Sequence, residues 1–251
     1  MSEQWIKPSW QTHSTIASLI TTRDDGVSQS PYDSMNLGAH VGDDPKCVDK
    51  NRALLTQYLP ARPVWLEQVH GTDIFDADHW DQSSVPVADA AVTTQPQRVL
   101  CIMTADCLPV LLASKGGEVI GVAHAGWRGL AAGIIEKTIQ KMKEKVHQDI
   151  QIQAFLGPAI GPESFQVGQE VKDIFEQHDL NSSRAFKPCS ESMKYWADIY
   201  QLARMRLHSQ GVEEVDGGDR CTVKESCFYS YRRDQVTGRM ASLLWIKESQ
   251  N

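Results

Sequence analysis

Short apolar runs, each about the length of a strand, punctuate the middle of this chain. Val99-Leu100-Cys101-Ile102-Met103 reads as a buried strand and Val110 to Ala113 as the next. After a Lys115-Gly116-Gly117-Glu118 turn, Val119-Ile120-Gly121-Val122-Ala123 reads as a third. Leu130, Ile134, Ile135, Thr138, Ile139 and Met142 then recur with helical periodicity. A strand, a Gly126-Trp127-Arg128-Gly129 junction and a helix follow one another, a geometry that often places chemistry at a strand's carboxyl end.

Upstream, Asp44 and Pro45 have the form of a helix cap and first turn. Val48, Arg52, Leu55 and Leu59 continue that helix until Pro60. Val64-Trp65-Leu66 reads as a short strand delivering Gln68 and His70 to its far end, and Ala88 to Val92 as another strand. Downstream, Ala154-Phe155-Leu156 leads into a Gly/Pro-rich turn. A helix is expected with Val167, Val171, Ile174 and Phe175 on its apolar side, and a longer one from about Met193 to Ser209 that includes Trp196. Arg239 to Trp245 reads as a closing strand. Without an internal repeat or long linker, the pattern is that of one mixed α/β (α+β) domain spanning 1–251.

Composition narrows the classes. At 251 residues the chain can bury a substantial core. A net charge of -7 disfavours nonspecific binding to nucleic acid. The start, MSEQWIKPSWQTHS, has no apolar signal region, and no run is long enough for a membrane span, so a cytoplasmic protein is expected. Six cysteines (Cys47, Cys101, Cys107, Cys189, Cys221, Cys227) lack both small-scaffold and zinc-knuckle spacing and read as reduced thiols.

His70, Cys107 and His124 each stand where an expected strand ends. Two imidazoles and a thiolate suit Zn²⁺ and leave a fourth position open. The same residues also fit a Cys107–His124 nucleophile pair with Asp106 or Asp89 as orienter or proton partner, or simple core packing. Arg128, between glycines at a helix start, has the character of an anion site; its alternative is a structural salt bridge. Arg232 and Arg233 can add positive charge to a pocket or stand as solvated surface, and His40 can line the pocket. The eight histidines (His13, His40, His70, His79, His124, His147, His178, His208) include no His-x-His pair, which excludes a four-copper oxidase centre.

Gln68-Val69-His70-Gly71, Thr104-Ala105-Asp106-Cys107-Leu108-Pro109, His124-Ala125-Gly126-Trp127-Arg128-Gly129 and Gly157-Pro158-Ala159-Ile160-Gly161 resemble the YfiH/DUF152 family, whose members often carry the label polyphenol oxidoreductase or multicopper laccase. The likeness extends from Thr22-Arg23 and Asn36-Leu37-Gly38 to Phe228–Arg233 and Gly238-Arg239. It implies a YfiH-like layered sandwich of mixed sheets and flanking helices, and one zinc, rather than copper, on His70, Cys107 and His124. It also implies phosphorolysis of purine nucleosides (adenosine, inosine, guanosine, methylthioadenosine) with accompanying adenosine deamination. On that reading Arg128, with Arg23 or Arg232, holds phosphate, and Asp106 carries a proton. The runner-up is amide hydrolysis by Cys107 and His124 on UDP-muramoyl-amino acid precursors of peptidoglycan. A third reading is a non-enzymatic metal-binding partner protein.

Overall fold

The computed structural model describes residues 5–147 and 149–248. The expected span of 1–251 also takes in residues 1–4, 148 and 249–251, which lie outside the described residues. In chain order the elements are β1 (Ile16–Ile20), α1 (Pro45–Thr56), β2 (Ile74–Asp76), β3 (Ala90–Thr93), β4 (Leu100–Thr104), β5 (Leu108–Ser114) and β6 (Ile120–Ala125). There follow α2 (Trp127–Ala131), α3 (Ile134–Val146), β7 (Ile152–Leu156), β8 (Gln166–Gly168), α4 (Gln169–His178) and β9 (Phe186–Pro188). The series closes with β10 (Lys194–Ala197), α5 (Ile199–Ser209), β11 (Val215–Gly217), α6 (Tyr231–Asp234) and β12 (Met240–Ile246).

A six-stranded sheet of order β11-β7-β5-β6-β3-β2 forms the centre. Its core, β7-β5-β6-β3, is antiparallel, whereas β11 and β2 join the edges in parallel. Every residue of β5 and β6 is buried, because side chains alternate between two covered faces. Val110 and Leu112 pack under Ile135, Ile139 and Met142 of α3 and Leu202 of α5. Leu111 and Ala113 face the second sheet, β1-β12-β4, against Ile16, Ile20, Ile102 and Leu244. The far side of that second sheet buries Leu19, Cys101 and Leu243 against Leu55 of α1, together with Met35, Leu37 and Trp65. The result is a layered helix–sheet–sheet–helix sandwich, with β8-β10-β9 as a small third sheet. No helix among the described residues is long and apolar enough to cross a membrane.

Local signals in the sequence produce these elements. The Asp44 side chain accepts from the Lys46 N–H and Pro45 opens α1, as expected. At the β5–β6 turn Gly117 has φ +80, a conformation that a side chain disfavours. The helix expected after the Trp-Arg junction is two helices, broken at Gly133 with φ +88.

Two expected helices start too early. Val167 lies in β8 and Ile174 is 41% exposed, so only Val171 and Phe175 form the buried side of α4. Met193 to Ala197 is not helical: in β10, Trp196 pairs with Gln166 on one side and Lys187 on the other. The Asp198 carboxylate then caps α5 by accepting from the Gln201 N–H. Val64-Trp65-Leu66 joins no ladder, and Val64 makes a single bridge to Leu100.

Candidate metal centre and its cavity

β5 and β6 are neighbours with Leu108 opposite Ala125 and Pro109 opposite His124, so the start of β5 and the end of β6 meet at one edge of the layer. That register places Cys107 beside His124. His70 arrives from a turn with φ +61, held by Gln68, whose side-chain amide both donates to and accepts from the Met103 backbone. The ligand atoms of His70, Cys107 and His124 all lie within 4.8 Å of one another. Cys107 Sγ is 3.8 Å from His70 Nε2, and the two imidazoles meet edge to face at 4.7 Å.

Asp89 organises this edge. It immediately precedes β3, and its carboxylate is fully buried. It accepts from the N–H groups of Val69, His70 and Gly71 at 3.1, 2.9 and 2.7 Å, and from His124 Nδ1 at 2.8 Å. Burial pushes its pKa up, but the His124 and backbone hydrogen bonds outweigh this and hold it below the usual range. With Nδ1 committed to Asp89, the Nε2 lone pair of neutral His124 is directed to the cavity.

Around His124, burial works against the charged form, yet hydrogen bonds to Asp89 and Cys107 raise its pKa to about 9. Burial likewise opposes a Cys107 thiolate, but His124 and His70 lower the thiol to about 6. The donor set fits a borderline-soft divalent ion: two imidazole nitrogens, a readily ionised sulfur and a carboxylate fixing one ring.

The three residues form part of the wall of a cavity of about 420 Å³. Trp127, Phe165 and Tyr231 give it aromatic surfaces, and Arg128, Arg232 and Arg239 give it positive charge. Arg128 is exposed, and its guanidinium lies 4.3 Å from the Trp127 ring with no hydrogen-bond partner among the described residues. Arg232 also lines the cavity but spends its guanidinium on the carbonyls of Ser164 and Gln166.

Arg23 does not line the cavity. Its side chain pairs with Asp33 at 3.1 Å and lies over Tyr229. Asp106 sits on the wall with φ +92, but both carboxylate oxygens are engaged. One accepts from Thr222 Oγ1 and the other from the Arg232 N–H, each at 2.6 Å. Its place in the structure is therefore to tie residue 222 and the start of α6 to the Cys107 turn. Arg233 donates to the carbonyls of Thr222 and Phe228 and pairs with Asp234. His40 does line the cavity. Arg239 and Gln68 were not singled out as site residues by sequence reasoning. The available signal for Arg239 was a Gly-Arg pair opening an otherwise apolar strand.

The family model described as multi-copper polyphenol oxidoreductase laccase matches residues 17–247. The chain belongs to that family. Among relatives of this polyphenol oxidoreductase family, purine nucleoside phosphorylase YfiH of Escherichia coli K12 is 49% identical over 96% of this chain and 98% of its own. A purine nucleoside phosphorylase of Pseudomonas aeruginosa is 47% identical over 97% of this chain and 99% of its own. Among solved structures, a DUF152-family protein of Neisseria meningitidis superposes with a TM-score of 0.91 at 43% identity, covering 98% of this chain and all of its own. YlmD from Geobacillus stearothermophilus gives 0.92 at 30% identity, over 99% and 98%. These likenesses bear out the YfiH-type fold. Despite the copper in the family's description, His70-Cys107-His124 is the one group of three such donors among the described residues.

Proposed function

We propose that the chain is a purine nucleoside phosphorylase that works in the His70-Cys107-His124 cavity with one zinc ion. The observation that carries this reading is the near full-length identity to relatives that bear that name. The cavity supports it in size and lining: about 420 Å³ with aromatic faces, unpaired cations and a metal-type donor set.

In phosphorolysis a phosphate oxygen forms a bond to the anomeric carbon of the nucleoside as the carbon–nitrogen bond to the purine breaks, and the base leaves with the electron pair. Arg128 holds the phosphate, because its guanidinium is a free fork of donors at the cavity mouth. Trp127, Phe165 and Tyr231 offer faces on which a purine can stack. Zinc held by His70, Cys107 and His124 would supply a Lewis acid to this cavity. Asp106 holds the Arg232 segment in place through one hydrogen bond to each carboxylate oxygen.

Chromatography of inosine and adenosine reactions, with and without phosphate, tests the reading. The free base and ribose-1-phosphate are expected only with phosphate present. Arg128→Ala is expected to raise the phosphate KM about tenfold while changing the nucleoside KM far less. Inosine formed from adenosine without phosphate would add deamination to the activity. Zinc-loaded, folded protein that splits no nucleoside would reject the proposal. UDP-muramoyl-amino acids would then be the next substrates, on the strength of the Cys107–histidine contact.

A further inference from the structure

Asn36-Leu37-Gly38 and Gly238-Arg239 meet in space. Asn36 is fully buried, and its Oδ1 accepts from the N–H groups of both Gly38 and Arg239 at 2.9 Å. Its amide nitrogen donates to Asp43 Oδ2 and the Gly38 carbonyl. The Leu37 N–H donates to the Arg239 carbonyl. Both glycines are required by close approach. A Cβ on Gly38 would sit 2.8 Å from Arg239 Cγ, and one on Gly238 would sit 2.6 Å from the Tyr229 ring and 2.9 Å from Asn36 Cβ. The loop therefore fixes the main chain and the stem of Arg239 and leaves the guanidinium to the cavity.

That guanidinium is half-buried and unbalanced. Nη1 donates to the carbonyls of Thr237 and Gly238. Nε and Nη2 have no partner among the described residues, and no carboxylate there pairs with Arg239. Burial, the leading influence, depresses its pKa, opposed by the negative charge of Cys107 and Asp106. The contrast with its neighbours is informative. Arg23 is neutralised by Asp33, and Arg232 is taken up by main-chain carbonyls. A desolvated cation with idle, forked donors in a cavity is poised for an oxyanion.

We propose that Arg239, aimed by the Asn36-Leu37-Gly38 loop, is the inner anchor for the oxyanion substrate of this cavity, with Arg128 as the outer cation. That the oxyanion is inorganic phosphate rests on the phosphorylase reading above; the anion site itself rests on the geometry. Asn36 and Gly38 are positioning residues, since neither lines the cavity and both act on it through Arg239.

Two measurements on the metal-loaded protein separate the two ideas: binding of inorganic phosphate without nucleoside, by calorimetry, and the phosphate and inosine KM in turnover. Saturable phosphate binding is expected in the wild-type protein and is expected to weaken about tenfold or more in Arg239→Gln, with Arg239→Lys retaining part of it. Gly38→Ala, which deflects the stem, should raise the phosphate KM several-fold while leaving the inosine KM within about twofold. Folded Arg239→Gln with wild-type phosphate affinity would overturn the proposal, as would a wild-type protein that binds no phosphate. If Arg239→Gln does not fold, unchanged phosphate binding in both Arg239→Lys and Gly38→Ala would do the same. Phosphate binding that depends on Arg239 in a protein that splits no nucleoside would keep the anion site and reject the phosphorylase.

Discussion

Asp89 does more for this site than its single charge suggests. Three backbone N–H groups and one imidazole converge on one buried carboxylate, so the turn that carries His70 and the ring of His124 are oriented by the same two oxygens. Asp89→Asn keeps the shape but replaces an acceptor with a donor among donors. Zinc affinity is expected to fall about 10–100-fold, read by competition with a chelator, while the fold is retained. Unchanged affinity in the folded variant would deny Asp89 its orienting role. At this scale the sequence was legible wherever chemistry marks a residue type: His70, Cys107 and His124 stand out as nitrogen and sulfur donors at strand ends. Asp106 was read as a proton carrier, and no local signal announced that its two oxygens accept from Thr222 and Arg232, partners more than 100 residues away along the chain. Arg239 looked like a strand boundary because nothing local shows that Asn36 holds it.

Elements are pinned by similar long-range polar contacts. In the last turn of α3, Lys145 bridges Asp76 at the end of β2 and Asp78 in the short turn that follows, each at 2.6 Å. Asp78 also accepts from Thr93 Oγ1 and from the N–H and hydroxyl of Thr94. Burial opposes its charge, yet these bonds hold the Asp78 pKa far below the unfolded value of 3.8. A depressed carboxylate stabilises the fold above its unfolded pKa, and the contribution drains away as pH falls from there toward the folded value. Asp78→Asn should therefore cost about 2 kcal/mol in urea unfolding at pH 7, with the deficit shrinking below about pH 4. A deficit that does not change with pH would refute the charge-based account. β4, β5 and β6 were legible because short, wholly apolar runs between turn signals leave little choice. Val167 and Trp196 were misassigned to helices because each fell in phase with a neighbouring helical stripe. Only the pairing of β10 with β8 and β9 shows them to be extended.

On the scale of the whole molecule, four layers leave one edge where β5 and β6, the turn before β3 and the segments flanking α6 come together. The layered arrangement followed from the family resemblance, whereas strand order did not, since local periodicity carries no pairing information. With one group of three donors among the described residues, the protein is expected to hold one metal ion per chain. Elemental analysis finding several tightly bound ions per folded chain would show that it has further sites.

The position of β12 has a consequence for how the protein is made. It lies between β1 and β4 and pairs residue for residue with both. A ribosome releases His70, Cys107 and His124 long before Met240–Ile246. The nascent chain thus carries all three candidate metal donors while the second sheet still has a slot open, and Arg239 arrives only with the strand that fills it. The cavity wall is therefore built from both ends of the synthesis: its candidate donors come early, and its last cation comes with the strand that closes the second sheet.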